Sequence, residues 1–236
     1  MDVRKLRFFS FLIMGMFPLA TPRAVDWRVS VEALTDIPVQ VGGHLDIEGP
    51  CGFRLSTSVG VLPGAYVDLI NAVVVEAGGY DQKTADLVHD SLKNSLVWRL
   101  HLGWRPFTDH GFYFEIGYGL AALGGDVVAE QLITLATGTE PPADSVPDRH
   151  YDVSSVLHMI DVEAGWAWKV WRELYLRAAL GFAGTLVART DINPKFRPVV
   201  RQAVERFCAA SEEYLNGIYT SYVFSPVISL AAGWQF

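Results

Sequence analysis

From about residue 95 the chain repeatedly alternates an apolar residue with a small or polar one, the period of a β-strand whose two faces meet different surroundings. The C-terminal run is the clearest. From Thr220, the even positions Tyr222, Phe224, Pro226, Ile228, Leu230, Ala232, Trp234 and Phe236 are greasy, and the odd positions Ser221, Val223, Ser225, Val227, Ser229, Ala231, Gly233 and Gln235 are mostly small. The same partition sets Leu96, Trp98, Leu100, Leu102 and Trp104 against Val97, Arg99, His101, Gly103 and Arg105. It sets Phe112, Phe114, Ile116, Tyr118 and Leu120 against Tyr113, Glu115, Gly117, Gly119 and Ala121. Segments 155–168 and 173–187 repeat it, with Asp161 and Glu163 on the small face of the first and Arg177 on that of the second. Three weaker runs precede these, around Trp27–Glu32, Val39–Glu48 and Phe53–Val61, which makes about eight strands.

Alternation alone does not say which face points inward; residue size does. The polar face is rich in Gly, Ala and Ser and nearly free of Lys, whereas a water-facing sheet carries long charged side chains. The apolar face holds more Trp, Phe, Tyr and Leu than the interior of eight strands accommodates. The greasy face is therefore expected to meet lipid, with the ring closed so that every backbone group is paired. The expected fold is all-β: a transmembrane, antiparallel, up-and-down barrel of about eight strands. Links near 48–52, 107–110 and 169–172 are tight, and those at 63–94, 123–152 and 188–217 are long, as in barrels with short periplasmic turns and long extracellular loops. The first hairpin, placed at Thr35-Asp36, is short on the outer side and departs from that alternation.

Composition and the N-terminus place this barrel. The chain has 236 residues, half of them hydrophobic, and a formal charge of −7, which argues against a nucleic-acid partner. Residues 1–24 read as a secretory signal peptide. Arg4, Lys5 and Arg7 precede an apolar core from Phe8 to Ala20, too short to span a bilayer, with cleavage expected after Ala20 or Ala24. Residues 25–236 then form the barrel domain. The terminal Ala231-Ala232-Gly233-Trp234-Gln235-Phe236 resembles the last strand of bacterial, Gram-negative-type outer-membrane β-barrel proteins, which end in Phe. That resemblance covers the mature chain and implies outer-membrane location and recognition by the barrel-assembly machinery through the last strand. It names no activity.

The expected lipid face and aromatic girdle comprise Trp98, Trp104, Phe112, Trp166, Tyr222, Phe224, Trp234 and Phe236. The expected lumen collects Arg28, Arg54, Arg99, Arg105 and Arg177 with Glu32, Asp46, Glu48, Glu115, Asp161 and Glu163, in nearly balanced signs. Such charges in a narrow tube should pair, with Arg99, Arg105 and Arg177 finding Glu115, Asp161 or Glu163, because an unpaired buried charge is costly. Helical spacing at 65–77 and 81–94, and from Pro198 to about Leu215, predicts helices in the long loops, packed over the barrel mouth or forming a recognition surface. Segment 137–149, which contains Pro141-Pro142, is rich in turn residues.

Candidate chemistry adds little. His44, Asp46 and Glu48 share a strand face, but same-face neighbours lie about 6.5–7 Å apart, too far for metal bonds of about 2 Å. His150, Ser154, Ser155, His158 and Glu163 contain the types a lipid hydrolase uses, yet Ser155 and His158 differ by three and face opposite ways on a regular strand. Cys51 and Cys208 fall at opposite ends of the barrel, and no disulfide is expected. No catalytic, metal or cofactor site is expected. The sequence supports a structural or binding barrel acting through its outer loops and lipid contacts. The rivals are a channel for small solutes or hydrophobic compounds, and a lipid-modifying enzyme.

Overall fold

A computed structural model describes residues 27–79, 82–92, 95–107, 110–128, 150–196 and 201–236. The expected signal peptide at 1–24, the segment 137–149 and the expected start of the third loop helix at Pro198 lie outside them. Eight strands form a closed ring in sequence order: β1 (Arg28–Ile37), β2 (Gln40–Glu48), β3 (Phe53–Val61), β4 (Leu96–Trp104), β5 (Phe112–Val128), β6 (His150–Trp171), β7 (Leu174–Pro194) and β8 (Phe224–Gln235). Every neighbouring pair is antiparallel, and β1 closes the ring on β8 from Ser30↔Gln235 to Ile37↔Ile228. The fold expected from the alternation is therefore the fold observed.

Alternation dictates the two faces. Inward positions such as Glu115, Gly117 and Gly119 are buried, and their neighbours Phe114, Ile116 and Tyr118 are exposed. The tight turns lie at one end, where a 3₁₀ turn at Pro50–Gly52 joins β2 to β3 and Arg172-Glu173 joins β6 to β7. Gly111 sits at the β4–β5 turn with φ +72°, and a Cβ there would lie 2.3 Å from the Ala167 carbonyl oxygen, so both backbone and space ask for glycine.

At the other end the strands differ in length. β5, β6 and β7 run 17, 22 and 21 residues, against 9 to 12 for the rest. These three strands therefore overshoot the others on the loop side. β7 carries a bulge there. His158 pairs with Val187 and Met159 with Thr185, so Leu186 is extra, and both Leu186 and Val187 face outward while Thr190 and Ile192 turn in.

The loop helices fill this uneven rim: α1 (Gly64–Glu76) and α2 (Gln82–Leu92) between β3 and β4, and α3 (Arg201–Tyr222) between β7 and β8. Val67, Val88, Leu92, Leu215 and Tyr219 of the helices form one core with Val97, Ala121, Leu157, Met159 and Ile192 of the strands. Asn71 Nδ2 donates to the Ala85 carbonyl at 2.7 Å, tying α1 to α2, and Ile192 N donates to Glu212 Oε1 at 2.8 Å, tying α3 to β7.

Two boundaries differ from the sequence reading. The first hairpin turns at Pro38-Val39 rather than Thr35-Asp36, because β1 continues pairing to Asp36↔Gln40. The third helix runs past Leu215 to Tyr222, so the last strand starts at Phe224 and Tyr222 belongs to the helix rather than to the strand's outward face, where the sequence reading put it. Alternation carried into Thr220–Tyr222 is overridden because this stretch continues a helix whose Leu215, Ile218 and Tyr219 are buried against the barrel end.

Candidate functional site

Two layers occupy the bore. Towards the tight turns it is ionic; beneath the helices it is apolar. In the ionic layer Arg99 of β4 reaches Asp36 of β1 at 2.5 Å and Asp161 of β6 at 2.8 Å, and His101 Nε2 meets the same Asp161 at 2.7 Å. Gln40 Nε2 donates to Asp36 at 2.8 Å and to the Ser58 hydroxyl at 2.7 Å. A second cluster joins Arg54 to Asp46 (3.0 Å) and Glu115 (3.3 Å), and Arg177 to Glu32 (3.3 Å) and Glu115 (3.9 Å). Tyr113 lies between them, with the Arg54 guanidinium 4.1 Å from its ring centroid. Nearest the turns, Arg105 bonds Glu48 at 3.1 Å and the Tyr175 hydroxyl at 2.6 Å; further along the bore Ser229 donates to Glu163 at 3.2 Å.

These contacts span the tube. Asp36–Arg99 runs from β1 to β4, Glu115–Arg177 from β5 to β7, and Arg105–Tyr175 from the end of β4 to β7, so side chains cross the space a diffusing solute would need. Gly117 makes one crossing feasible. A Cβ there would lie 2.3 Å from the His101 ring and 2.5 Å from Asp161, which is where those two groups meet.

The structure redistributes the pairing expected from sequence. Arg99 does find Asp161, but Arg105 pairs with Glu48, and Arg177 divides between Glu32 and Glu115. Arg28 is a rim residue, its side chain 47% exposed and 3.8 Å from Glu48. Sequence reasoning misses Asp36 because it sets the first turn too early, although Arg28, Ser30, Glu32, Leu34 and Asp36 keep a single parity and Pro38 signals the turn; Gln40 has the inward parity of the second run but is uncharged, and the expected set holds only charged groups. His101 has the inward parity and joins the ion-pair set, which the sequence reading confines to arginines and carboxylates. With Asp36 added and Arg28 at the rim, carboxylates outnumber guanidiniums in the bore.

On the outer face Trp104, Trp166, Phe224, Trp234 and Phe236 are exposed, and Trp98 and Phe112 are half-buried. Trp104, Trp166, Trp168, Trp171, Trp234 and Phe236 gather near the tight turns, with Leu55, Leu100, Leu102, Ile116, Val162 and Leu180 further along.

The catalytic types do not converge. Ser155 is buried and bonds Thr190 at 2.8 Å, while His158 faces outward and meets the Tyr118 hydroxyl at 2.5 Å. Among the described residues no group of three His, Cys, Asp or Glu side chains is placed to hold a metal. Cys51 is free and exposed at its turn; Cys208 is free and buried in α3, its thiol pushed up by burial and by Glu212.

No family model matches the sequence, and no curated protein matches it. Among solved structures the chain is similar to the N-terminal β-barrel domain of Pseudomonas aeruginosa OprF, at 12% identity over 89% of this chain and 97% of that one, TM-score 0.42. It is also similar to a major outer membrane protein from Thermus thermophilus, at 14% identity over 91% of this chain and 100% of that one, TM-score 0.44. The eight-stranded ring rests on this chain's own strand order.

Proposed function

We propose that the chain is an integral outer-membrane barrel, closed to diffusion by its own ion pairs, that presents a helical cap to the exterior as a structural or binding surface. One observation carries this reading: polarity is inverted relative to a water-soluble protein. Leu180 is 67% and Leu102 63% exposed, while Arg99 is 2% and Glu115 1% exposed. Scattered apolar residues are ordinary on soluble surfaces, but a continuous apolar belt around a ring needs an apolar solvent. The crossing length of β1–β4 and β8 and the aromatics near the turns fit a bilayer. Outer-membrane lipids, and an assembly machinery that reads β8 and Phe236, are the partners this reading implies. A charged lumen bridged from wall to wall supports a closed tube over a porin. Ser155, bonded to Thr190 inside, and His158, bonded to Tyr118 outside, do not form the pair the lipid-hydrolase reading asks for.

Planar-bilayer recording tests the closed lumen. The purified protein, inserted and heat-modifiable on gels, should give no reproducible conductance steps; regular steps of uniform size would contradict it.

A further inference from the structure

Above the ionic layer the bore is hollow. A cavity of about 60 Å³ has Val97, Ala121, Leu157 and Met159 as its inner wall, with α2 and α3 as its roof. A water needs roughly 10–15 Å³ and two to four polar partners. This space has the volume but almost no polar lining, so it suits an apolar guest.

The barrel wall is incomplete at the same height. β1 turns away at Pro38-Val39, so its ladder with β8 ends at Ile37↔Ile228, whereas β8 runs on to Phe224. Val29 and Phe236 exchange both backbone hydrogen bonds. In an antiparallel strand such groups alternate sides, so the even-numbered residues of β8 point theirs at β1. The register holds without a shift, which puts Pro226 on that side and beyond the last β1 partner. Proline there removes a donor that the ladder would have left unpaired. Val39, Val223 and Ser225, with Ile70 and Val74 of α1, border this stretch; all are half-buried and all line the cavity. Outside it the surface stays apolar, with Phe224, Leu69 and Val73 exposed.

We propose that the cavity receives the hydrocarbon tail of a lipid from the outer leaflet, which enters sideways between the β1–β2 hairpin and the start of β8. The proposal rests on the membrane reading above. β8 has 12 residues and a crossing uses about 9–11, so the opening falls at the outer edge of the hydrocarbon layer, where a tail can bend inward. A free fatty acid would bring the same chain, but among the described residues no Lys or Arg lines the cavity to pair its carboxylate. A lipid keeps its headgroup outside.

Photolabelling tests it. The full mature chain is inserted into phosphatidylcholine vesicles containing phosphatidylethanolamine with a diazirine at the end of one acyl chain; a second sample receives diazirine-tagged palmitic acid instead. The phospholipid should label Ala121, Leu157 and Met159 as well as outward residues such as Leu180. Ala121→Phe fills the cavity and should cut the inner labelling by roughly tenfold, the equivalent of displacing about two buried methylenes, with Leu180 labelling and heat-modifiable mobility unchanged. Ala183→Leu, a smaller filler on the same wall, should show the same loss if the phenylalanine variant does not fold. Labelling confined to outward residues in inserted wild-type protein overturns the proposal, as does inner labelling by palmitic acid alone. Failure to insert at all would overturn the membrane reading, and this proposal with it.

Discussion

Arg99 is held between Asp36 and Asp161, with 2% of its surface exposed, so its charge is compensated by neighbours rather than by water. Removing it leaves two carboxylates facing each other. Breaking a buried pair of this kind costs about 3–5 kcal/mol, and Arg99→Ala should lower the urea midpoint of unfolding from vesicles accordingly. Arg99→Lys should recover only part of the loss, because an ammonium cannot bridge Asp36 and Asp161 with a planar fork. Gly117 gives a second residue-scale test. Its missing Cβ is the space where His101 and Asp161 meet, so Gly117→Val should destabilise by about 1–3 kcal/mol, measured in the same titration, while the same change at Gly43, where a Cβ meets nothing within 4 Å, should be far milder. At this scale the sequence is legible wherever parity is unbroken: Glu32, Asp46, Arg54, Glu115, Asp161, Glu163 and Arg177 all turn inward as their positions require. Which carboxylate meets which guanidinium is not legible, because that depends on how far around the ring and along its shear each side chain reaches.

Among the elements, the strands follow from period two and the helices from period 3.6, and the misreadings lie where one gives way to the other. Thr220–Tyr222 reads as strand by alternation yet completes the last turn of α3. The overshoot of β5–β7 is invisible in the sequence because its outward face is no longer uniformly apolar; there Ser154, Asp152 and Asn193 stand outside and Val153 and Ile192 inside. α3 rests on this overshoot, and the bond from Ile192 N to Glu212 Oε1 fixes its height. Glu212→Ala removes an acceptor from a part-buried backbone donor, a loss of about 1–3 kcal/mol. The expected result is faster amide exchange in α3 and at Ile192, with the β1–β8 ladder unchanged. Uniform acceleration across all strands would show instead that the cap and the barrel unfold as one unit.

For the whole molecule, closure of the ring joins its two ends. Phe236 and Val29 exchange backbone hydrogen bonds at 2.8 and 3.2 Å, and Gln235 N donates to the Glu173 carbonyl at 2.9 Å, so the last residues pin β8 to both neighbours. Deleting Phe236 should lower assembly in the outer membrane while export continues, and Phe236→Tyr should be tolerated better than Phe236→Asp, since the site asks for an interfacial aromatic. Membrane fractionation with heat-modifiable mobility checks it, and equal yields for wild type and deletion would rule it out. The central claim is that the outside of this ring faces lipid, and the seven tryptophans make it measurable. Trp27, Trp104, Trp166, Trp168, Trp171 and Trp234 are exposed and Trp98 is half-buried on the outer face. Reconstituted into phosphatidylcholine brominated along its acyl chains, the protein should lose most of its tryptophan emission relative to unbrominated vesicles. The water-soluble quencher acrylamide should take little. Emission unaffected by bromine and strongly quenched by acrylamide would contradict the account.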